Sequence, residues 1–226
     1  MRLQRYFKNG ITLSIEMESS HYKSHWLAPL KSGTHACFFY TTHEEFFSIA
    51  VPFLQNSLTT IKERTLWILP PRFSFQDAKE ILLRHLSLNL DAMLRLRRLL
   101  ILPWDKWYGA ELSTQDLLKR KKQILKETQR AGYEGLRILS HSPSKDSNYW
   151  KDFLLHEEAV SKSKLKGILY LCGYSLVDCP VPAISLIASN HTHCLIHHEQ
   201  EWEWLLNQPS TNLYRSTSSG STKHSS

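Results

Sequence analysis

A chain of 226 residues and 26.4 kDa, 42% of it hydrophobic, can bury one substantial core and is short for two domains. Its formal charge of +7 and pI near 9.2 would suit an anionic partner. The excess is spread between the basic N-terminus and the run Lys119 to Lys122, however, which favours a solvated basic surface over a nucleic-acid footprint. Apolar runs such as 167–174 and 99–104 fall far short of the roughly 20 residues that cross a bilayer, and the basic start is not followed by the apolar region of a signal peptide. Cys37, Cys172, Cys179 and Cys194 contain no C-x-x-C pair and make no disulfide framework, so reduced thiols and a cytoplasmic location are expected.

From Met1 to about Leu30 the chain has little periodicity and reads as an extension or a loosely packed hairpin. The folded unit is expected over 31–207, beginning with a strand at His35 to Tyr40. Phe46, Ile49, Ala50, Phe53, Leu54 and Leu58 recur at helical spacing, with Pro52 expected to bend or interrupt the helix. Strands follow at Thr65 to Leu69 and Leu99 to Leu102. The next helix has clear ends, Ser113 as N-cap with Asp116 three residues on and Gly132 as the stop. It carries the basic run, read as an exposed face with Asp116 pairing Arg120 and Glu127 pairing Arg130. A strand at Leu136 to Ser140, a helix at Asn148 to Ser161, a strand at Gly167 to Cys172, a short helix at Pro182 to Ala188 and a strand at His193 to His197 complete the unit. Residues 208–226, rich in Ser and Thr, are expected to be disordered. The alternation is that of an α/β three-layer sandwich with a mostly parallel central sheet.

In such sheets ligands bind beyond the carboxyl ends of the strands, so the residues after each strand are the place to look for function. The stretch "GTHACFFYTTHEEFF" (Gly33 to Phe47) has the strand, loop and helix layout of a phosphate-binding unit. Its loop nevertheless lacks the glycines and the lysine that cradle phosphates, and Glu44 and Glu45 stand where phosphates would lie, so nucleotide hydrolysis is not expected. "HTHC" (His191 to Cys194), with His197 and His198, is the densest set of metal-ligand types, with Cys172 or Cys179 available to complete a site. It matches no zinc template, and strand alternation would turn Cys194 away from His193 and His197. Packed or solvent-facing histidines are the favoured reading. Trp104 and Trp107 either cap the core or wall an apolar pocket.

The blocks "GTHACFFY", "EEFFSIAVPFLQNSL", "ERTLWILPP", "WDKWY", "RAGYEGLRIL", "WKDFLLHEE", "LYLCGYS" and "NHTHCLI" follow in the order and spacing of the MEDS domain, the methanogen/methylotroph DcmR sensory domain. The resemblance runs from about Lys31 to His197. It implies a fold related to the RecA/KaiC-like ATPases without the P-loop, and a role in sensing small hydrocarbon derivatives. Members of the family are usually joined to DNA-binding or histidine-kinase modules. The family's recurrent polar and thiol positions carry over as His35, Cys37, Tyr40, Glu157, Cys172, Tyr174 and His191. Two positions depart from its pattern: His141 stands where an acidic residue is common, and Thr192 where proline often follows the histidine.

Taken without the resemblance, each residue has an ordinary role. Buried cysteines are small hydrophobes, histidines at strand ends bond backbone, and a helical glutamate makes a surface ion pair. The expectation is therefore a non-enzymatic sensory domain without a cofactor, whose ligand pocket at the carboxyl edge of the sheet is lined by Tyr40, Trp67, Trp104, Cys172 and Tyr174. Its output would pass to a separate partner such as a histidine kinase or transcription regulator, with no membrane contact and no direct nucleic-acid binding. The alternatives are a cysteine- or metal-dependent enzyme and a basic nucleic-acid-associated regulator.

Overall fold

The computed structural model describes residues 25–206, except 61, 110–112, 147, 164–165 and 199–200. The expected tail and most of the expected N-terminal extension lie outside the described residues. The elements in chain order are β1 (His35–Tyr40), α1 (His43–Thr59), β2 (Glu63–Ile68), α2 (Phe75–His85), α3 (Leu90–Arg95), β3 (Leu99–Leu102), α4 (Trp104–Tyr108), α5 (Thr114–Arg130), β4 (Gly135–His141), α6 (Trp150–Ser163), β5 (Ile168–Ser175), α7 (Val181–Asn190), β6 (His193–His198) and β7 (Glu201–Leu206).

The strands form one seven-stranded sheet in the order β3-β2-β4-β5-β1-β6-β7, parallel except for β7, which runs antiparallel to β6. Helices α1 to α3 pack on one face and α4 to α7 on the other, which makes the three-layer α/β sandwich that the alternation predicts. All six expected strands form; β7 and the helices α2, α3 and α4 are additions. Ahead of β1, Trp26 is buried against the α1 side, and its carbonyl accepts from the Trp204 indole at 2.8 Å. Among the described residues no helix is long and apolar enough to cross a membrane.

Strand alternation sorts every side chain to one helical layer or the other. On β1, Ala36, Phe38 and Tyr40 face α1, while Cys37 and Phe39 face the α5–α7 layer; on β5, Tyr170, Cys172 and Tyr174 face that second layer too. Phe38 sits beside Gly173 of β5. A Cβ on Gly173 would come within 2.8 Å of the Phe38 ring, so the glycine permits this close aromatic approach.

Two local expectations are corrected. Of the bend or interruption expected at Pro52, the interruption does not occur: α1 is one helix across this buried proline, because a nearly continuous apolar stripe from Phe46 to Leu58 packs on the sheet and outweighs the missing backbone bond. The basic run of α5 is not uniformly solvated. Lys119 pairs with Asp116 at 3.5 Å, Arg120 donates to the carbonyls of Lys106 and Trp107, Glu127 accepts from Gln123, and Lys121 points inward and is buried. Arg120 therefore does not take Asp116 as its partner; it reaches the end of α4 and lies over the Trp107 ring.

Candidate functional site

At the start of α1, Thr42 caps the helix and Glu45 closes a capping box. The Glu45 carboxylate accepts from the backbone N–H of Thr41 at 2.6 Å and of Thr42 at 3.4 Å, and also contacts the His197 ring at 3.1 Å. The two amides just ahead of α1 are thus engaged by the chain's own carboxylate, and the Glu45 amide of the first turn by the Thr42 hydroxyl, where a phosphate would approach a helix N-terminus.

The nine residues singled out from the sequence divide between three places. Tyr40 and Trp67 lie on the α1 side of the sheet, where Tyr40 donates to Nε2 of His141 and Trp67 is fully buried. Trp104 stands at the rim of a cleft. His35, Cys37, Cys172 and Tyr174 face the α5–α7 layer, where Glu157 from α6 and His191 from the end of α7 meet them. The expected pocket lined jointly by Tyr40, Trp67, Trp104, Cys172 and Tyr174 is therefore not formed. Residue 40 is separated from residue 37 by an odd step along β1, and Trp67 by one step from Leu66 and Ile68, so the pleat places them across the sheet from Cys172 and Tyr174.

The assembled group is a buried polar cluster centred on Glu157. Its Oε2 lies 3.1 Å from His35 Nε2, 3.3 Å from His191 Nε2, 3.4 Å from Cys172 Sγ and 3.1 Å from the Tyr174 hydroxyl. Burial alone would raise the Glu157 carboxyl, but the bonds from His191 and His35 outweigh it and hold it well below the usual carboxylate range. Burial pushes the Cys172 thiol well above its ordinary value, reinforced by Glu157, and lowers His35 to about 4, reinforced by His191. Cys172 also meets the Ser140 hydroxyl at 3.0 Å. The His191 Nδ1–H donates to the carbonyl of Ile187 at 2.6 Å, and both the amide and the hydroxyl of Thr192 bond the His35 carbonyl. The Thr192 departure from the family pattern therefore contributes an anchor that a proline could not donate. The His141 departure lies on the opposite face, against Tyr40 and Phe46, and leaves this cluster untouched.

Within the same layer a cleft of about 380 Å³ opens between α4, the start of α5 and α6, walled by Trp104, Tyr108, Tyr149 and Phe153 with Asp152 and His156. Trp104 is fixed by its indole N–H to the His141 carbonyl at 3.0 Å, and its ring packs on Tyr108 and Tyr149. The floor leads inward. The Tyr108 hydroxyl meets that of Tyr170 at 2.9 Å, and His156 Nε2 accepts from the Lys121 ammonium at 2.9 Å. That ammonium lies 4.0 Å over the Tyr170 ring, which in turn stacks on His35. One layer of side chains thus separates the cleft from the Glu157 cluster.

Lys121, His156, Tyr108, Tyr149 and Tyr170 were not expected from the sequence as functional residues. A signal existed for two of them. Lys121 lies on the stripe of Leu117 and Thr128 that α5 buries, and His156 shares with Phe153, Glu157 and Val160 the stripe that α6 buries. Of the "HTHC" segment only His191 joins the cluster. His193 packs on Trp204, His197 contacts Glu45, and Cys194 lies beside Cys37 across β1 and β6.

No curated protein matches the chain. The profile of the MEDS family, the MEthanogen/methylotroph, DcmR Sensory domain, matches residues 34–192, a span that contains β1 through α7 and every member of the buried cluster. The chain therefore belongs to the MEDS family of sensory domains.

Proposed function

We propose that this chain is a non-enzymatic sensory module that binds a small organic, hydrocarbon-derived ligand in the aromatic cleft of Trp104, Tyr108, Tyr149 and Phe153, and signals to a separate protein such as a histidine kinase or transcription regulator. The observation that carries the reading is the cleft itself. Its volume of about 380 Å³ falls in the range of small-molecule sites, roughly 300–1,000 Å³. Four aromatic rings and Leu117 supply its apolar wall, and Asp152, His156, Ser113 and Thr114 its polar groups. The engagement of the Thr41 and Thr42 amides, just ahead of α1, by the Glu45 carboxylate supports an organic ligand over a nucleotide. The burial of Cys172 argues against its use as a nucleophile, which would need access to substrate.

The route from ligand to output would run through α6. That helix contributes Asp152, Phe153 and His156 to the cleft and Glu157 to the buried cluster, so a ligand that prefers one α6 position would shift the population of the whole layer. The test is a thermal-shift and tryptophan-fluorescence screen of short alcohols, halocarbons, thiols and nucleotides against the wild type and Trp104→Ala. The reading expects saturable binding of an apolar organic compound, weakened about tenfold or more by the substitution, the scale of one lost aromatic wall. Binding of nucleotides alone, or no binding by any class, would refute it.

A further inference from the structure

The geometry points to a buried transition-metal site formed by His35 Nε2, Glu157 Oε2, Cys172 Sγ and His191 Nε2, taking a divalent ion of zinc-like softness. The four atoms lie within 4.8 Å of one another, and all four residues are buried. Bond lengths of about 2.0–2.3 Å to nitrogen, oxygen and sulfur place tetrahedral ligands roughly 3.3–3.8 Å apart. The separations of 3.1, 3.3 and 3.4 Å from Glu157 to the other three are already close to that spacing. The inference stands on this cluster alone and does not depend on what occupies the cleft.

Four separate elements bring these atoms to one point: β1, α6, β5 and the junction of α7 with β6. The surrounding bonds are those a metal site uses to orient its ligands. The Nδ1–H of His191 is donated to the Ile187 carbonyl, which fixes the ring so that its Nε2 is aimed at Glu157 Oε2, 3.3 Å away. The Ser140 hydroxyl, 3.0 Å from Cys172, is placed to donate to a thiolate, and the Tyr174 hydroxyl to the ligating carboxylate. The other carboxylate oxygen, Glu157 Oε1, is buried with no hydrogen-bond partner among the described residues, so the carboxylate has capacity for a second bond to the ion.

The donor set names the class of ion. Two imidazoles and a thiolate exclude magnesium and calcium, which take oxygen ligands, and suit zinc and its first-row neighbours. One carboxylate and one thiolate neutralise a divalent charge, which a buried site needs. Four protein ligands close the coordination sphere, the pattern of a structural ion that ties the helical layer to the sheet. Ligation replaces the Cys172 proton by the metal, and the proton leaves to solvent.

The test uses the whole chain, purified without chelator and analysed for metals, then stripped and titrated with Co²⁺. The expected result is about one metal ion per chain, with the visible absorption of tetrahedral Co²⁺ and a near-ultraviolet thiolate-to-cobalt band. Cys172→Ser should remove that band and weaken affinity by about tenfold or more, whereas Cys179→Ser, outside the cluster, should change neither. Should Cys172→Ser fail to fold, the wild type decides alone: zinc must raise its melting temperature and chelation must reverse the gain. The inference is overturned by a wild type that carries less than about a tenth of an equivalent and gives no cobalt–thiolate band. It is equally overturned by a band that persists in folded Cys172→Ser. Ligand binding in the cleft is measured separately on stripped protein, so failure of the metal site and failure of the sensory reading give different results.

Discussion

Replacing Lys121 by Met keeps the aliphatic stem and deletes a buried ammonium, and the consequence depends on pH in a calculable way. Burial lowers the lysine from its ordinary 10.5 to about 8, against the opposing pull of Glu157. The unfolded chain therefore binds more protons than the folded one between those two values, and this group makes stability rise with pH across that window. At about 1.4 kcal/mol per unit, keeping the side chain charged at pH 7 costs the folded state roughly 3 kcal/mol, and by pH 9.5 about 2 kcal/mol of that has been recovered. Deleting the ammonium also removes the bond to His156 and the contact with the Tyr170 ring, together worth about 2–3 kcal/mol. Lys121→Met should accordingly be about as stable as wild type at pH 7, and less stable by about 2 kcal/mol relative to that comparison at pH 9.5. Urea unfolding of both proteins after chelator treatment, at several pH values, measures the difference. Parallel stability curves for the two proteins between pH 7 and 9.5 would refute a desolvated site for Lys121.

Three further outcomes follow from other parts of the fold. Gly173→Ala should cost about 1–3 kcal/mol in chemical denaturation, because its Cβ meets the Phe38 and Phe46 rings at 2.8 and 3.1 Å in a packed core. Adding Phe38→Leu should restore part of this loss, a coupling that independent sites would not give. His141 is lowered to about 4 by burial, so the unfolded chain takes up its proton first as pH falls below about 6.5, and stability is lost from there down toward pH 4. His141→Gln should reduce the stability lost between pH 7.5 and 5 by about 2 kcal/mol, read from denaturation at the two values. Thr42→Ala removes the side-chain cap of α1 and should lower stability by about 1 kcal/mol without altering ligand binding in the cleft, as calorimetry and fluorescence titration would report.

Much of the scaffold was legible in the chain because its signals are local. Six short apolar runs bounded by polar residues gave six strands of the sheet, and Ser113 with Asp116 marked the start of α5 through the bonds they make in the structure. Strand β7 was not legible. "EWEWLL" alternates polar and aromatic residues as an edge strand should, but its partner is known only once β6 stands at the end of the sheet. The missed burial of Lys121 has a similar origin. Within "KRKK" four cations look alike, and only the docking of α5 on the sheet distinguishes the one that lies on the Leu117 stripe.

The site shows the same division. The resemblance to the MEDS family, and not residue type alone, carried His35, Cys37, Glu157, Cys172, Tyr174 and His191 as candidates, whereas the lack of a phosphate-binding loop was a property of the linear chain itself. Which of them meet was decided by the pleat of β1 and β5 and by the crossing of α6 over the sheet, since alternation sends Tyr40 and Trp67 to one layer and Cys172 and Tyr174 to the other. Distances of three to four ångströms between residues more than a hundred positions apart, as between His35 and Glu157, depend on packing that no local pattern encodes. Composition and periodicity thus determined the layers and the chemistry available, while tertiary packing chose the acceptor at which that chemistry converges, the carboxylate of Glu157.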